Sequence, residues 1–199
     1  MEFSLQEAVK SRRTYYAIGK GAVLPDNELI AALQEAVLRA PSAFNSQSAR
    51  VVLLLGEEHD RLWDITRDIL KGIVPPANFA STEEKLASFR SGHGTLLFFE
   101  EQDTVKGLQE QFPLYRDNFP IWSLESSGMV QYGAWMRLES LGYGASLQHY
   151  NPLIDEKVRE AWKFPQSWKL LGEMPFGKPL AQPDAKTFLP IGERFRVFP

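Results

Sequence analysis

Apolar residues recur along this chain in two rhythms, one helical and one strand-like. Behind Pro25-Asp26, the residues Leu29, Ile30, Leu33 and Val37 repeat at helical spacing, which predicts a helix with its apolar face in the core, ending before Pro41. Upstream, Ser4-Leu5-Gln6-Glu7 has the spacing of a capping box, in which hydroxyl and carboxylate each satisfy a free N–H, and predicts a short first helix to about Arg12. The second rhythm is continuous. Arg50-Val51-Val52-Leu53-Leu54-Leu55, closed by Gly56, predicts a strand buried on both faces, and Thr95-Leu96-Leu97-Phe98-Phe99 predicts another. Between them the pattern places a Trp63-containing helix from near Glu57 and a break at Pro75-Pro76. A further helix is expected from about Ser81, where Ser81 and Glu84 repeat the capping-box spacing.

From Ser123 to Leu141 the apolar residues Met129, Val130, Met136, Leu138 and Leu141 predict a long central helix, stopped at Gly142. A third strand is expected over Gly144–His149, a helix from Asp155 and a fourth strand over Trp168–Met174. The sum is one mixed α+β domain over residues 1–199, with about four strands among about six helices. The last stretch, Pro175–Pro199, carries five prolines and excludes a regular helix. It also holds Phe176, Leu180, Phe188, Leu189, Ile191, Phe195, Val197 and Phe198. That much apolar surface must dock on its own core or on another subunit.

Composition narrows the field of functions. The chain has 199 residues, 44% hydrophobic and 24% charged, ordinary for a soluble globular protein. A net charge of -3 leaves no cationic excess for a phosphate backbone, so nucleic acid is not an expected partner. With 0 Cys, disulfides, thiolate nucleophiles and Cys-ligated metals are excluded. No leader pattern and no long apolar run is present, and the expected location is cytoplasmic, with no membrane partner. The three histidines, His59, His93 and His149, lack metal-ligand spacing, and Gly19-Lys20-Gly21 and Gly142-Tyr143-Gly144 do not complete a phosphate-loop motif. No metal is expected.

Two clusters carry candidate chemistry. Arg12-Arg13-Thr14 follows the first helix: forked guanidiniums with a hydroxyl make a phosphate grip, although the same charges also suit the negative end of a helix. Ala40-Pro41-Ser42-Ala43-Phe44-Asn45-Ser46-Gln47 places two amides between a helix and a strand, where they can both donate and accept at a heteroaromatic edge or simply form a polar turn.

Taken together, the two clusters resemble the FMN-dependent nitroreductase family, whose members show an R-R-S-like start and a P-S-x-x-N-S-Q loop before a buried strand. Further segments resemble the subgroup of nitroreductase-like fatty acid repression proteins of fungi and bacteria. These are Arg61–Ile65, Phe119-Pro120-Ile121-Trp122-Ser123, Ser126-Ser127-Gly128-Met129, Gly144–Pro152 and Met174–Pro179. After N-S-Q the chain departs from the commoner family pattern, with Ser48-Ala49 in place of Pro and an aromatic.

The resemblance implies a sandwich of a mostly antiparallel central sheet with helices on both faces. It also implies an intertwined homodimer with two FMN sites between the subunits, residues 175–199 docking on the partner. Carried over residue by residue, Arg12, Arg13 and Thr14 would hold the phosphate and ribityl end, and Asn45 and Gln47 the isoalloxazine edge. Lys186 and Arg194 match basic positions of the tail that return to the phosphate. The flavin carries the redox chemistry, so no catalytic side chain is required. NAD(P)H would be the co-substrate and nitroaromatics or quinones the acceptors, exchanging on one flavin face by a ping-pong scheme. Phe44, Phe119, Trp122 and Tyr132 are candidates for the wall beside that face, Phe44 and Trp122 foremost. The rival readings are a flavin-binding regulatory or stress-response protein with incidental turnover, and a structural module that has lost FMN.

Overall fold

The computed structural model describes residues 4–199. The first helix, α1 (Leu5–Ser11), opens on the expected capping box: the Ser4 hydroxyl accepts from the Glu7 N–H, and the Glu7 carboxylate accepts from the Ser4 N–H. A two-residue strand β1 (Ile18–Gly19) leads to α2 (Asp26–Arg39), which starts behind Pro25 and stops before Pro41 as its pattern required. After a 3-10 turn (Ala43–Asn45) come β2 (Ala49–Leu55), α3 (Gly56–Lys71), α4 (Pro76–Arg90) and β3 (Gly94–Glu101). The second half consists of α5 (Gln102–Gln111), a 3-10 turn (Pro113–Tyr115), α6 (Phe119–Ser140), β4 (Gly144–Ala145), α7 (Asp155–Trp162), β5 (Trp168–Pro179) and the single turn α8 (Ile191–Arg194).

The strands form an antiparallel sheet in the order β1-β5-β3-β2, with β4 also on β5. On one face Leu29 and Leu33 of α2 and Val130, Ala134 and Leu138 of α6 pack on Leu96, Phe98, Met174 and Phe176. On the other, Leu62 and Trp63 of α3, Phe89 of α4 and Val158 of α7 pack on Leu97, Phe99 and Leu170. Helices on both faces of an antiparallel sheet is the expected fold.

Several boundaries differ. Strand β2 is buried on both faces only at Leu54 and elsewhere half-buried, because it is the sheet's edge rather than its centre. Fully covered β3 is the central strand. Ser81 caps nothing: Pro76 in the first turn begins α4 five residues earlier, and the Ser81 hydroxyl donates back to the Asn78 carbonyl. Helix α6 starts at Phe119, with Pro120 in its first turn, so Trp122 lies inside the helix rather than ahead of it. The third strand is confined to Gly144–Ala145, after which only Gln148 bridges to Glu173. Pro175–Pro179 extends β5, and one helical turn, α8, forms behind Pro190 despite the prolines. Beyond Pro179 the apolar tail does not enter the chain's own core: Leu180, Phe188, Leu189, Ile191, Phe195, Val197 and Phe198 are all exposed.

Candidate functional site

The Pro41–Ser48 loop is locally strained. Phe44, Asn45 and Gln47 have φ of 55°, 51° and 47°, a left-handed conformation that costs about 1–2 kcal/mol for a residue with a Cβ. Asn tolerates it; Phe and Gln do not, and the surroundings hold them there. The Gln47 N–H donates to the Ser42 hydroxyl at 3.0 Å, the Ala43 N–H to Ser126 Oγ at 3.2 Å, and Arg50 Nη1 to the Gln47 carbonyl at 2.7 Å. The Phe44 ring lies 5.0–6.0 Å from the centroids of Phe112, Tyr115, Phe119 and Trp122. The result is a rigid loop whose Asn45 and Gln47 are exposed and whose amide side chains have no hydrogen-bond partner among the described residues. Gln47, Ser42 and Ser126 line a cleft of about 180 Å³ beside it.

The guanidiniums after α1 diverge. Arg12 lies over the Trp135 ring of α6, 4.6 Å from its centroid, near buried Glu139. Burial raises the Glu139 pKa, while Ser11 and Arg12 pull it back. Arg13 donates to the Asp184 carbonyl of the tail. Thr14 bridges to Ala145, and the Tyr15 N–H donates to the Ala145 carbonyl at 3.0 Å. Arg13, Thr14 and Tyr16 face Gln182, Pro183 and Asp184 across a cleft of about 430 Å³. Lys186 sits over Phe188 at 5.2 Å, and Arg194 ends α8; among the described residues neither is tied to the body by a hydrogen bond or ion pair.

The two clusters do not meet within one chain. Ala145, beside Thr14, is level with Phe176, Gly94 and Leu55, whereas Ala49, which ends the amide loop, is level with Glu100 and Lys169. The six steps from Ala49 to Leu55 span about 20 Å at ~3.3 Å per residue, and three strand spacings of ~4.8 Å separate β4 from β2. Helix α6 repeats the separation: the loop bonds to Ser126 and Arg12 covers Trp135, nine residues or about 13.5 Å further along.

Of the aromatic candidates, Phe44, Phe119 and Trp122 gather, joined by Phe112 and Tyr115, which the sequence reading did not single out. Tyr132 stands apart, exposed on the outer side of α6. Also missed were the hydroxyls of Ser42 and Ser126, which fix the loop. Three buried serines on α6, Ser123, Ser126 and Ser127, were a legible signal, since hydroxyls enter a core only with partners. Two of the histidines are structural. His59 is buried between Thr95 Oγ1 (2.8 Å) and the Arg90 carbonyl (3.2 Å), and burial lowers its pKa to about 4. His93 bridges Asp26 and the Lys20 carbonyl, and His149 is exposed. No cluster of metal-ligating side chains exists, and no helix is long and apolar enough to cross a membrane, among the described residues.

The pattern described as the nitroreductase family matches residues 9–178. The Saccharomyces cerevisiae protein HBN1 is 34% identical over 186 residues, 92% of each chain. The nitroreductase FRM2 of the same yeast is 32% identical over 187 residues, covering 92% of this chain and 91% of FRM2. The structure of nitroreductase CinD from Lactococcus lactis in complex with nicotinic acid superimposes with a TM-score of 0.91 at 45% identity, over 98% of this chain and 100% of that one. CinD has also been solved with 4-nitrophenol and with chloramphenicol.

Proposed function

Because the chain belongs to the nitroreductase family of oxidoreductases, we propose that it is an FMN-dependent homodimeric reductase that passes hydride from NAD(P)H to nitroaromatics and quinones. The observation that carries the reading is the separation of the two candidate clusters: a phosphate grip and an amide edge lie at opposite ends of one sheet, so each would need its complement from a second copy. The residues present fit FMN. Arg13 and Thr14 offer charged and neutral donors for a phosphate monoester, and Asn45 and Gln47 offer free amides for a flat ring edge. Bound there, FMN would supply the hydride chemistry, and the chain supplies binding, orientation and a wall.

Dimerisation is supported by the unpartnered apolar surface. Ile121, Leu124, Met129 and Tyr132 on α6, Leu5 and Val9 on α1 and the apolar side chains of the tail beyond Pro179 are all exposed. A tail that crosses to the neighbour would carry Lys186 and Arg194 toward the phosphate. Phe44 and Trp122 would flank the acceptor. CinD has been solved with nicotinic acid, which carries the pyridine ring of nicotinamide, and with 4-nitrophenol, and one face that takes nicotinamide and acceptor in turn is consistent with both.

The test is spectroscopic and kinetic. The purified protein should be yellow and release FMN, not FAD, on denaturation. Double-reciprocal plots at several acceptor concentrations should be parallel, and Trp122→Ala should shift acceptor preference more than flavin content. Colourless protein that ignores added FMN overturns the reading; intersecting lines overturn the shared face. Bound FMN with no oxidation of either nicotinamide would favour the regulatory alternative.

A further inference from the structure

Of the three left-handed residues in the amide loop, Gln47 has the least to keep it there. Asn45 tolerates a positive φ and Phe44 is gripped by four rings, whereas Gln47 is exposed and is followed by Ser48, which, unlike a proline, places no restriction on the backbone before it. Two bonds hold the Gln47 backbone. Its N–H donates to the Ser42 hydroxyl, and its carbonyl accepts from Arg50 Nη1 at 2.7 Å. The same nitrogen donates to the Ala49 carbonyl at 3.1 Å, so one guanidinium nitrogen gathers the carbonyls on both sides of Ser48.

Nothing else claims this guanidinium. Arg50 is half-buried on the edge strand β2, with the acids of the neighbouring strand close enough for its charge to work toward lowering the pKa of Glu100 and Glu101. Neither acid bonds to it. Glu101 accepts from Trp168 Nε1 and the Asp103 N–H, and the Glu100 oxygens have no hydrogen-bond partner among the described residues. The charged donor is therefore committed to the two carbonyls, and a hydrogen bond from an ionised donor is stronger than one from a neutral donor. The residue it holds is one that needs holding. A Gln left to itself relaxes toward negative φ, and because side-chain direction follows the backbone, its amide would then be aimed elsewhere.

We propose that Arg50 is a positioning residue for the flavin: by clamping the Gln47 carbonyl it keeps the Gln47 amide aimed, beside Asn45, at the ring edge. This rests on the reading of Asn45 and Gln47 as the amides that meet that edge. Arg50 acts through Gln47 and not on the flavin itself, so its loss is felt at the ring only while the Gln47 amide is there to transmit it.

The experiment is a double-mutant cycle on the full chain, with FMN affinity read by fluorescence titration of the apoprotein in wild type, Arg50→Met, Gln47→Ala and the double variant. Removing the amide and letting it swing away should cost the same. Each single variant should therefore weaken FMN about tenfold, the upper scale of one neutral hydrogen bond, and the double variant no more than either alone. Because a single nitrogen makes both bonds, Arg50→Lys should recover most of what Arg50→Met loses. A second readout needs no flavin: Arg50→Met should lower the denaturant midpoint of the apoprotein, and clearly less so in a Gln47→Gly background, where a positive φ is free of strain. If Arg50→Met does not fold, the milder Arg50→Gln is put through the same cycle. Additive losses in the double variant would mean that the guanidinium acts on the flavin directly, and unchanged affinity in Arg50→Met would mean that Gln47 needs no clamp. Either result overturns the positioning role while wild-type FMN binding keeps the reductase reading. A wild type that binds no FMN overturns both.

Discussion

The two halves of the candidate site are built in opposite ways. The amide loop is finished within one chain: three left-handed residues are held by Ser42, Ser126 and Arg50, and Phe44 is gripped by four rings. The phosphate grip is unfinished. Arg13 reaches only a carbonyl of the tail, Arg12 covers Trp135, and Lys186 and Arg194 ride on a segment whose apolar side chains face solvent. Conformational cost already met in the fold need not be met again on binding, so the first half is preorganised. On the proposed reading, the second half would be assembled only when the tail finds a surface on a second copy.

The comparison breaks most plainly if the tail is removed. Deleting residues from Pro183 onward should abolish both dimer and bound flavin, read by sedimentation and visible absorbance; a truncated protein that stays dimeric and yellow would show that the grip is complete without it. The body supporting the preformed half should respond to acid through His59. Its folded pKa of about 4 lies below the ordinary 6.5, so the unfolded chain binds more protons between these values. Stability should therefore be lost as pH falls from 6.5 to 4, by about 3 kcal/mol. Denaturant midpoints of wild type and His59→Gln across that window isolate this slope, and identical slopes would refute the assignment.

Within the grip, Arg13→Ala or Arg12→Ala should weaken FMN by about 1.5–3 kcal/mol, the scale of a hydrogen bond to a charged group. Fluorescence titration of the apoprotein measures it, and an unchanged affinity for both would remove them from the site. Within the preformed half, Ser126→Ala should cost stability by about 1 kcal/mol, because the Ala43 N–H loses its acceptor. A smaller weakening of FMN than in the arginine variants would sharpen the contrast, and a larger one would invert it.

What the sequence made legible was local. Pro25 before α2, the Ser4–Glu7 box and Gly142 after α6 act through neighbouring residues, and each did what its chemistry required. Ser81 misled because a capping box is read from spacing alone, while Pro76 had already supplied the helix start. Strand β2 misled for another reason: an apolar run does not say whether its strand is central or at an edge, and sheet order comes from long-range pairing. The site shows the same limit. Two short motifs supplied the candidate residues, but the register that sets Ala49 and Ala145 at opposite ends of the sheet could not be read from them.

A hybrid dimer tests that separation most directly. Co-expressed under two tags, an Arg13→Ala chain and an Asn45→Ala/Gln47→Ala chain each carry one damaged half. If every site joins the grip of one copy to the amides of the other, the hybrid regains one undamaged site and should bind one FMN per dimer with wild-type affinity, while either variant alone binds weakly. A hybrid no better than its parents would mean that both halves of a site come from the same chain.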